Sequence, residues 1–207
     1  MNQLKDKGTI KYLCHWNPSG PLDPEEIDEI NAWRGRLYRL GLIGAYENGI
    51  GYGNLSIRKG QSDAFIITGS GTGRLRSLDE THYTRVTSVD FEANSLTCRG
   101  PVRASSESLT HAAVYVSHRA TGGVIHIHHM GLWKNLMDCV PTTSPKAGYG
   151  TPEMAFEVMR LLRESNFRGK NVLVMGGHEE GLIAFGKGIS EAGGLLLKLY
   201  GDLGAGG

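Results

Sequence analysis

One segment rich in histidine constrains the fold of this 207-residue chain more than any other. It is VIHIHH, residues 124–129, and it carries three of the eight histidines in the sequence. Alternate side chains of a β-strand point to opposite faces of a sheet. A strand here directs Ile125 and Ile127 toward a core and presents His126 and His128 together on the other face. The segment therefore predicts a buried strand that ends in paired imidazoles.

The pair His126 and His128 suits joint ligation of one metal ion. Their Cα atoms lie about 7 Å apart in a strand, and neutral imidazole nitrogen is a common ligand of divalent metals. A hydrogen-bonded structural histidine pair is the alternative. His129 points to the isoleucine side or lies past the strand end, so it is left out. For the third ligand we favour His178, in the turn MGGHEEGL, over His111, although a surface turn histidine is equally compatible with His178 alone.

A candidate anion site precedes the histidine strand, in ASSESLTH, residues 104–111. A helix starting here offers unpaired backbone N–H groups and the positive end of its dipole. Ser105 and Ser106 add hydroxyl donors, and Glu107 lies in the first turn, where it can approach a metal held by the next strand. An ordinary serine cap followed by a favourable glutamate is the alternative for the segment taken alone.

Composition limits the classes of partner. Lys and Arg total 22 against 21 Asp and Glu, a formal net charge of +1, which gives no reason to expect nucleic acid or an anionic membrane. We find no run of about 18 apolar residues and no apolar signal-peptide core near the first residue. The three cysteines are widely spaced and are interpreted as reduced thiols. A cytoplasmic protein with one domain over residues 1–207 is expected.

Helices and strands mix without a regular βαβ alternation, which favours an α/β fold with a mostly antiparallel sheet. Asp23, Pro24 and Glu26 form a capping-box pattern that opens an amphipathic helix ending near Gly41. A second helix is expected from Ser105. The other predicted elements are strands at 54–58 and 64–68 joined by the turn KGQSD, the histidine strand, a helix from Pro152, strands at 171–175 and 182–186, and a helix from Ser190.

Two glycine-rich turns flank the first predicted strands, GYGNLSIR and ITGSGTGR. The second lacks the GxGxxG spacing and is not followed by a helix, so NAD binding is not predicted. Such turns can present backbone N–H groups to an anion. Plain hairpin turns are the default.

Several motifs, taken in order, resemble the class II aldolase/adducin family. They are GNLS (53–56), ITGSG (67–71), SSE (105–107), HIH (126–128), GT (150–151) before a helix, and the later histidine before GLI. The resemblance covers about residues 23–200. It implies a three-layer α/β/α fold around a mostly antiparallel central sheet, in a homotetramer whose active sites lie between subunits.

Carried over by position, the resemblance implies a complete site. A divalent ion, Zn²⁺ foremost and otherwise Mn²⁺, Fe²⁺ or Co²⁺, would be held by His126, His128 and His178. Glu107 would be the acid/base; the aldolases have glutamate at this position and the epimerase aspartate, which favours aldol chemistry. Substrate phosphate would be held by Asn54, Ser70, Gly71, Ser105 and Ser106.

Two departures from the family pattern affect this assignment. The usual N-H-G element is replaced by GGHEEGL, where spacing back from GLI puts Glu180 at the ligand position; we keep His178 and allow a two-residue insertion. Only 21 residues, 129–149, separate His128 from Gly150. This segment normally supplies a tyrosine acid to the neighbouring subunit, and Tyr149 is a candidate only.

The sequence thus predicts a zinc-dependent aldolase that cleaves a small ketose 1-phosphate to dihydroxyacetone phosphate and an aldehyde. Epimerisation or dehydration of a sugar phosphate on the same metal site is the first alternative. A non-catalytic assembly domain, as in adducin, is the second, and the intact HxH and SSE motifs argue against it. Metal binding without catalysis is the third, but it leaves the serine pair unexplained.

Overall fold

The computed structural model describes residues 9–59, 62–164 and 170–205. Its main sheet is built from eight strands, which are β1 (Leu13–Pro18), β4 (Asn54–Ile57), β5 (Phe65–Thr68), β6 (Tyr83–Asp90), β7 (Ser95–Gly100), β8 (Gly123–His128), β9 (Val172–Val174) and β10 (Gly181–Gly186). The short strands β2 (Gly44–Ala45) and β3 (Gly51–Tyr52) pair separately. The helices are α1 (Pro24–Arg39), α2 (Ser108–Ser117), α3 (Met130–Leu136), α4 (Pro152–Glu164) and α5 (Ile189–Ala205).

The main sheet is mostly antiparallel, as predicted. Its strand order is β1-β7-β6-β5-β4-β8-β10-β9, and only the β1–β7 pair is parallel. The histidine strand β8 therefore lies between β4 and β10, with paired neighbours on both sides. A strand in this position has all of its backbone groups within reach of partners, which suits full burial.

Two hydrophobic clusters form on the alternating side chains of the strands. One joins Val124 and Ile183 to apolar residues of α2 and α4. The other joins Ile125 and Ile127 to apolar residues of α1 and α5. The isoleucines of the histidine strand thus pack into a core, as their period of two predicts.

Local capping sets the start of α1. The Asp23 carboxylate accepts a hydrogen bond from the backbone N–H of Glu25 at 2.9 Å, and Pro24 occupies the first helical position. The helix ends before Gly41, whose φ of 70° is the left-handed conformation favoured at a helix end. Glu26, expected in the capping box, instead accepts two hydrogen bonds from Arg85 at 2.7 and 2.8 Å.

Other boundaries differ from the sequence-based expectations. Helix α2 begins at Ser108 and not at Ser105, because the residue just before Ser105, Ala104, is still held in an antiparallel β-bridge to Gly69, the residue after β5. Strands β1, β6 and β7 and helix α3 were not predicted. The predicted turn KGQSD includes Gly60 and Gln61, which lie outside the described residues. Within the described ranges, no helix is both long and apolar enough to cross a membrane.

Candidate active site

The end of strand β8 places two histidines on one face of the sheet. His126 pairs across with Asn54 of β4 and with Ile183 of β10, and His128 pairs with Gly181. Both imidazoles are buried, with 1% and 6% of their residue surface exposed. Their Nε2 atoms lie 3.0 Å apart. The prediction of a strand that carries two inward imidazoles on one face is confirmed.

His178 joins this pair from the turn that follows β9. Ligand atoms of His126, His128 and His178 all lie within 4.8 Å of one another. Within the described part of the chain, this is the only group of three or more His, Cys, Asp or Glu side chains arranged so that they could hold a metal ion. His111, the rival candidate, is buried outside the group, and its Nδ1 lies 2.7 Å from the Ser56 hydroxyl oxygen.

Backbone packing fixes the turn that carries His178. The His178 N–H donates to the Met175 carbonyl at 3.0 Å, and the Gly181 N–H donates to the His178 carbonyl at 2.9 Å. Gly177 fits so closely against the preceding loop that a Cβ there would lie 1.9 Å from the Ala147 carbonyl oxygen. Glu180 completes the turn with a φ of 70°. Glu179 and Glu180 connect His178 to β10, and Glu180 lies outside the three-histidine group.

The hydrogen bonds of the first histidine suit a metal ion. Nδ1 of His126 lies 3.1 Å from the Leu182 carbonyl, so the ring donates there and its Nε2 keeps a lone pair. Burial lowers the pKa of His126 to about 4, so the ring is neutral at pH 7. Neutral imidazoles are the form that ligates metals. The donor set therefore fits a divalent ion.

A tyrosine and a carboxylate set the hydrogen bonds of the second histidine. The Tyr46 hydroxyl donates to Oε2 of Glu180 at 2.6 Å and lies 2.6 Å from Nδ1 of His128. Since the tyrosine has one proton and uses it on the carboxylate, the network assigns the other bond to an Nδ1–H of His128. Nε2 of His128 then has a lone pair that faces Nε2 of His126. Two facing lone pairs 3.0 Å apart are what a cation would stabilise.

Glu107 lies buried beside the histidines. Its Oε2 accepts a hydrogen bond from Thr110 at 2.8 Å, and its Oε1 lies 3.9 Å from Nε2 of His178. Oε1 has no hydrogen-bond partner among the described residues. Burial raises the pKa of Glu107 to about 7 against the lowering effect of the Thr110 hydrogen bond. A carboxyl group of this kind can both take and give a proton near neutral pH.

A cavity of about 370 Å³ opens over these groups. Four of the five predicted phosphate residues line it, which are Asn54, Gly71, Ser105 and Ser106. Ser70 is not in the lining; its backbone N–H donates to the Arg103 carbonyl at 2.9 Å. The Asn54 side-chain oxygen is buried and has no hydrogen-bond partner among the described residues. The cavity thus offers polar groups to a small ligand beside the three histidines that could hold a metal ion.

Other lining residues were not singled out by sequence reasoning. Tyr46, Tyr52 and Arg74 border the cavity, and all three lie near glycines but outside the family motifs named above. Tyr149 was named only as a candidate acid; its ring centre lies 4.8 Å from that of His178, with the Lys11 ammonium 3.9 Å from the Tyr149 ring centre. Arg74 brings a positive charge to a wall of the cavity.

Solved structures share this fold at low sequence identity. The L-fuculose-1-phosphate aldolase of Thermus thermophilus matches with a TM-score of 0.64 and 23% identity, over 88% of this chain and 93% of that one. The sugar-phosphate aldolase of Thermotoga maritima matches with a TM-score of 0.63 and 17% identity, over 87% and 93%. YgbL of Klebsiella pneumoniae, a candidate aldolase/epimerase/decarboxylase, matches with a TM-score of 0.65 and 18% identity, over 86% of each chain.

No curated protein matches the sequence significantly. The family model described as "Class II Aldolase and Adducin N-terminal domain" matches residues 36–199, which include the three histidines, Glu107 and the cavity-lining turns. The predicted resemblance is therefore confirmed, and the chain belongs to the class II aldolase and adducin family.

Proposed function

We propose that this protein is a metal-dependent aldolase that cleaves a small ketose 1-phosphate to dihydroxyacetone phosphate and an aldehyde. One observation carries the proposal: Glu107, the three histidines and the polar residues Asn54, Ser105 and Ser106 border the same cavity. Family membership and the aldolases among the solved structures support the same class of reaction.

His126, His128 and His178 would hold the divalent ion, with Zn²⁺ as our first choice because three imidazoles leave a fourth position open for substrate. When bound, such an ion supplies Lewis acidity to a substrate carbonyl and stabilises the negative charge that develops on its oxygen. The substrate phosphate would be bound by the proposed set Asn54, Ser70, Gly71, Ser105 and Ser106, of which all but Ser70 line the cavity.

Glu107 would handle the proton on carbon. In cleavage the bond between C3 and C4 breaks and its electron pair moves toward the C2 carbonyl, while the C4 hydroxyl gives its proton to the Glu107 carboxylate and becomes the aldehyde. Glu107 then delivers a proton to C3, which completes dihydroxyacetone phosphate. The step conserves protons, since one proton leaves the C4 hydroxyl oxygen and one reaches C3. The buried position of the Glu107 carboxyl suits this role.

The assembly and layering form part of the same proposal. We expect a homotetramer with active sites between subunits, as the family resemblance implies. We also expect helices on both faces of the sheet in a three-layer α/β/α arrangement of one domain, which the two separate core clusters support.

Product release from a panel of ketose 1-phosphates, with and without a chelator, tests the proposal. Release of dihydroxyacetone phosphate that the chelator abolishes is expected. Glu107→Gln should keep the metal and lose turnover, whereas His126→Ala should lose both. Glu179→Gln, an exposed carboxylate in the histidine turn, is the matched control and should keep both.

Other results would lead to different functions. Protein that holds metal but releases no dihydroxyacetone phosphate would favour an epimerase or a dehydratase on this site. Protein with neither metal nor release would favour an assembly role like that of adducin. Unchanged turnover in Glu107→Gln would remove the role assigned to that residue.

A further inference from the structure

A chain of two hydrogen bonds links His128 to a carboxylate that is outside the three-histidine group. Tyr46 lies between β2 and β3, and Glu180 lies at the tip of the turn before β10. The Tyr46 hydroxyl is 2.6 Å from both Nδ1 of His128 and Oε2 of Glu180. The direct distance from that carboxylate oxygen to Nδ1 is 3.7 Å, so the hydroxyl bridges a gap that the carboxylate does not span alone.

The two hydrogen bonds have a fixed direction. An ionised carboxylate only accepts, so the single proton of Tyr46 is donated to Glu180. The tyrosine oxygen then accepts the hydrogen bond from Nδ1–H of His128. In this order the lone pair of His128 is at Nε2, the nitrogen that faces His126.

The turn sequence explains why Glu180 reaches this position. The two residues between His178 and Gly181 lengthen the turn, and the positive φ of Glu180 directs the chain back toward β10. A turn without them would carry His178 but no carboxylate at this place. The chain of hydrogen bonds from His128 through Tyr46 to Glu180, called the relay below, is therefore built by residues outside the three-histidine group.

We propose that Tyr46 and Glu180 are positioning residues that fix His128 as the Nδ1–H tautomer and so raise the affinity of the site for its metal ion. The inference rests on the proposed function to the extent that the three histidines hold a metal. Removing a partner that orients a ligating histidine typically costs 10- to 100-fold in metal affinity. Because the two residues act in series, loss of either should have nearly the whole effect.

Zinc affinity of the full chain, measured by competition with a chromophoric chelator, provides the first test. Tyr46→Phe and Glu180→Ala should each weaken Zn²⁺ binding by about 10- to 100-fold. The double variant should bind Zn²⁺ about as tightly as the single variant with the lower affinity. Glu180→Gln keeps an oxygen that can accept from Tyr46 but removes the charge, so its affinity should lie between those of Glu180→Ala and the unaltered chain. Glu179→Ala and Tyr38→Phe are the controls and should bind as the unaltered chain does.

Histidine tautomers give a readout that packing alone would not change. Long-range ¹H–¹⁵N spectra of the metal-free protein should show His128 as the Nδ1–H form, and the Nε2–H form should appear in Glu180→Ala and Tyr46→Phe. Thermal unfolding of the same metal-free samples checks that each variant is folded.

The different failures can be told apart. Zinc bound by the unaltered chain with equal affinity in all variants would overturn the relay and leave the proposed function in place. Complete loss of zinc stoichiometry in Glu180→Ala, with little effect in Tyr46→Phe, would overturn it by making Glu180 a direct ligand. An unaltered chain that binds no zinc or other divalent ion would refute the proposed metal site together with the relay.

Discussion

Gly177, one residue before His178, provides a sharp test of how the proposed third ligand is held. A Cβ at this position would lie 1.9 Å from the carbonyl oxygen of Ala147 and 2.6 Å from its carbonyl carbon. Side-chain Cβ atoms essentially never come closer than 3.0 Å to such atoms, so in Gly177→Ala the two backbones must separate by at least 1.1 Å, from 1.9 to 3.0 Å. No rotamer can relieve this contact, because both partners belong to the main chain or are fixed to it.

The expected result combines a stability loss with a displaced ligand. Overpacking of a dense interior costs about 1–3 kcal/mol, and a misplacement of about 1 Å in a catalytic group can cost about 100-fold in rate. Gly177→Ala should therefore lower the free energy of unfolding by about 1–3 kcal/mol, measured by urea denaturation of the metal-free protein. It should also weaken zinc binding, because His178 moves away from the other two imidazoles.

A matched glycine provides the control for this prediction. Gly188 precedes α5, has no positive φ, and a Cβ there meets nothing within 4 Å. Gly188→Ala should change neither stability nor metal affinity by a measurable amount. If Gly177→Ala folds with unchanged stability and binds zinc as tightly as the unaltered chain, the reasoning from backbone contact is refuted.

Two further predictions concern the walls of the cavity. The buried guanidinium of Arg34 donates hydrogen bonds to the carbonyls of Arg76, Thr72, Gly73 and Leu75. Since each buried acceptor that loses its donor costs about 1–3 kcal/mol, Arg34→Met should lower the free energy of unfolding in urea several times more than the exposed control Arg36→Met. Equal losses in the two variants would contradict this role of Arg34. The Tyr12 hydroxyl donates to the carbonyls of Ser105 and Ala104 at 2.8 and 3.1 Å. Tyr12→Phe should lower the free energy of unfolding by about 1 kcal/mol and raise the Michaelis constant for a phosphorylated substrate. An unchanged Michaelis constant would show that the serine turn keeps its position without this tyrosine.

Features that depend on local chemistry were predictable from the sequence. The start of α1 follows from Asp23 and Pro24, whose capping roles need no tertiary contact. The inward pair His126 and His128 follows from the period of a strand, and neighbouring strands preserve it. Placing His178 with them relied on family resemblance, since no local pattern indicates that residue 178 approaches residue 126.

Features that depend on distant pairing were missed. Strand β6 contains an irregularity between Val86 and Ser88 that breaks the alternation of buried and exposed residues, so its sequence does not read as a strand. Strand β1 pairs in parallel with β7, about eighty positions later, which local patterns do not show. The contact between Tyr46 and Glu180 joins residues 134 positions apart and involves no recognisable motif.

The position of β10 between β8 and β9 has a consequence for biosynthesis. β10 supplies the Leu182 carbonyl that orients His126, and the turn before it carries His178, so a nascent chain that ends before this turn has neither. Until β10 emerges from the ribosome, β8 has one unpaired edge lined with apolar residues, a surface that favours association with other chains. We therefore expect any metal ion to be acquired only after the His178 turn and β10 have been synthesised, too late for it to guide the pairing of the strands made before them.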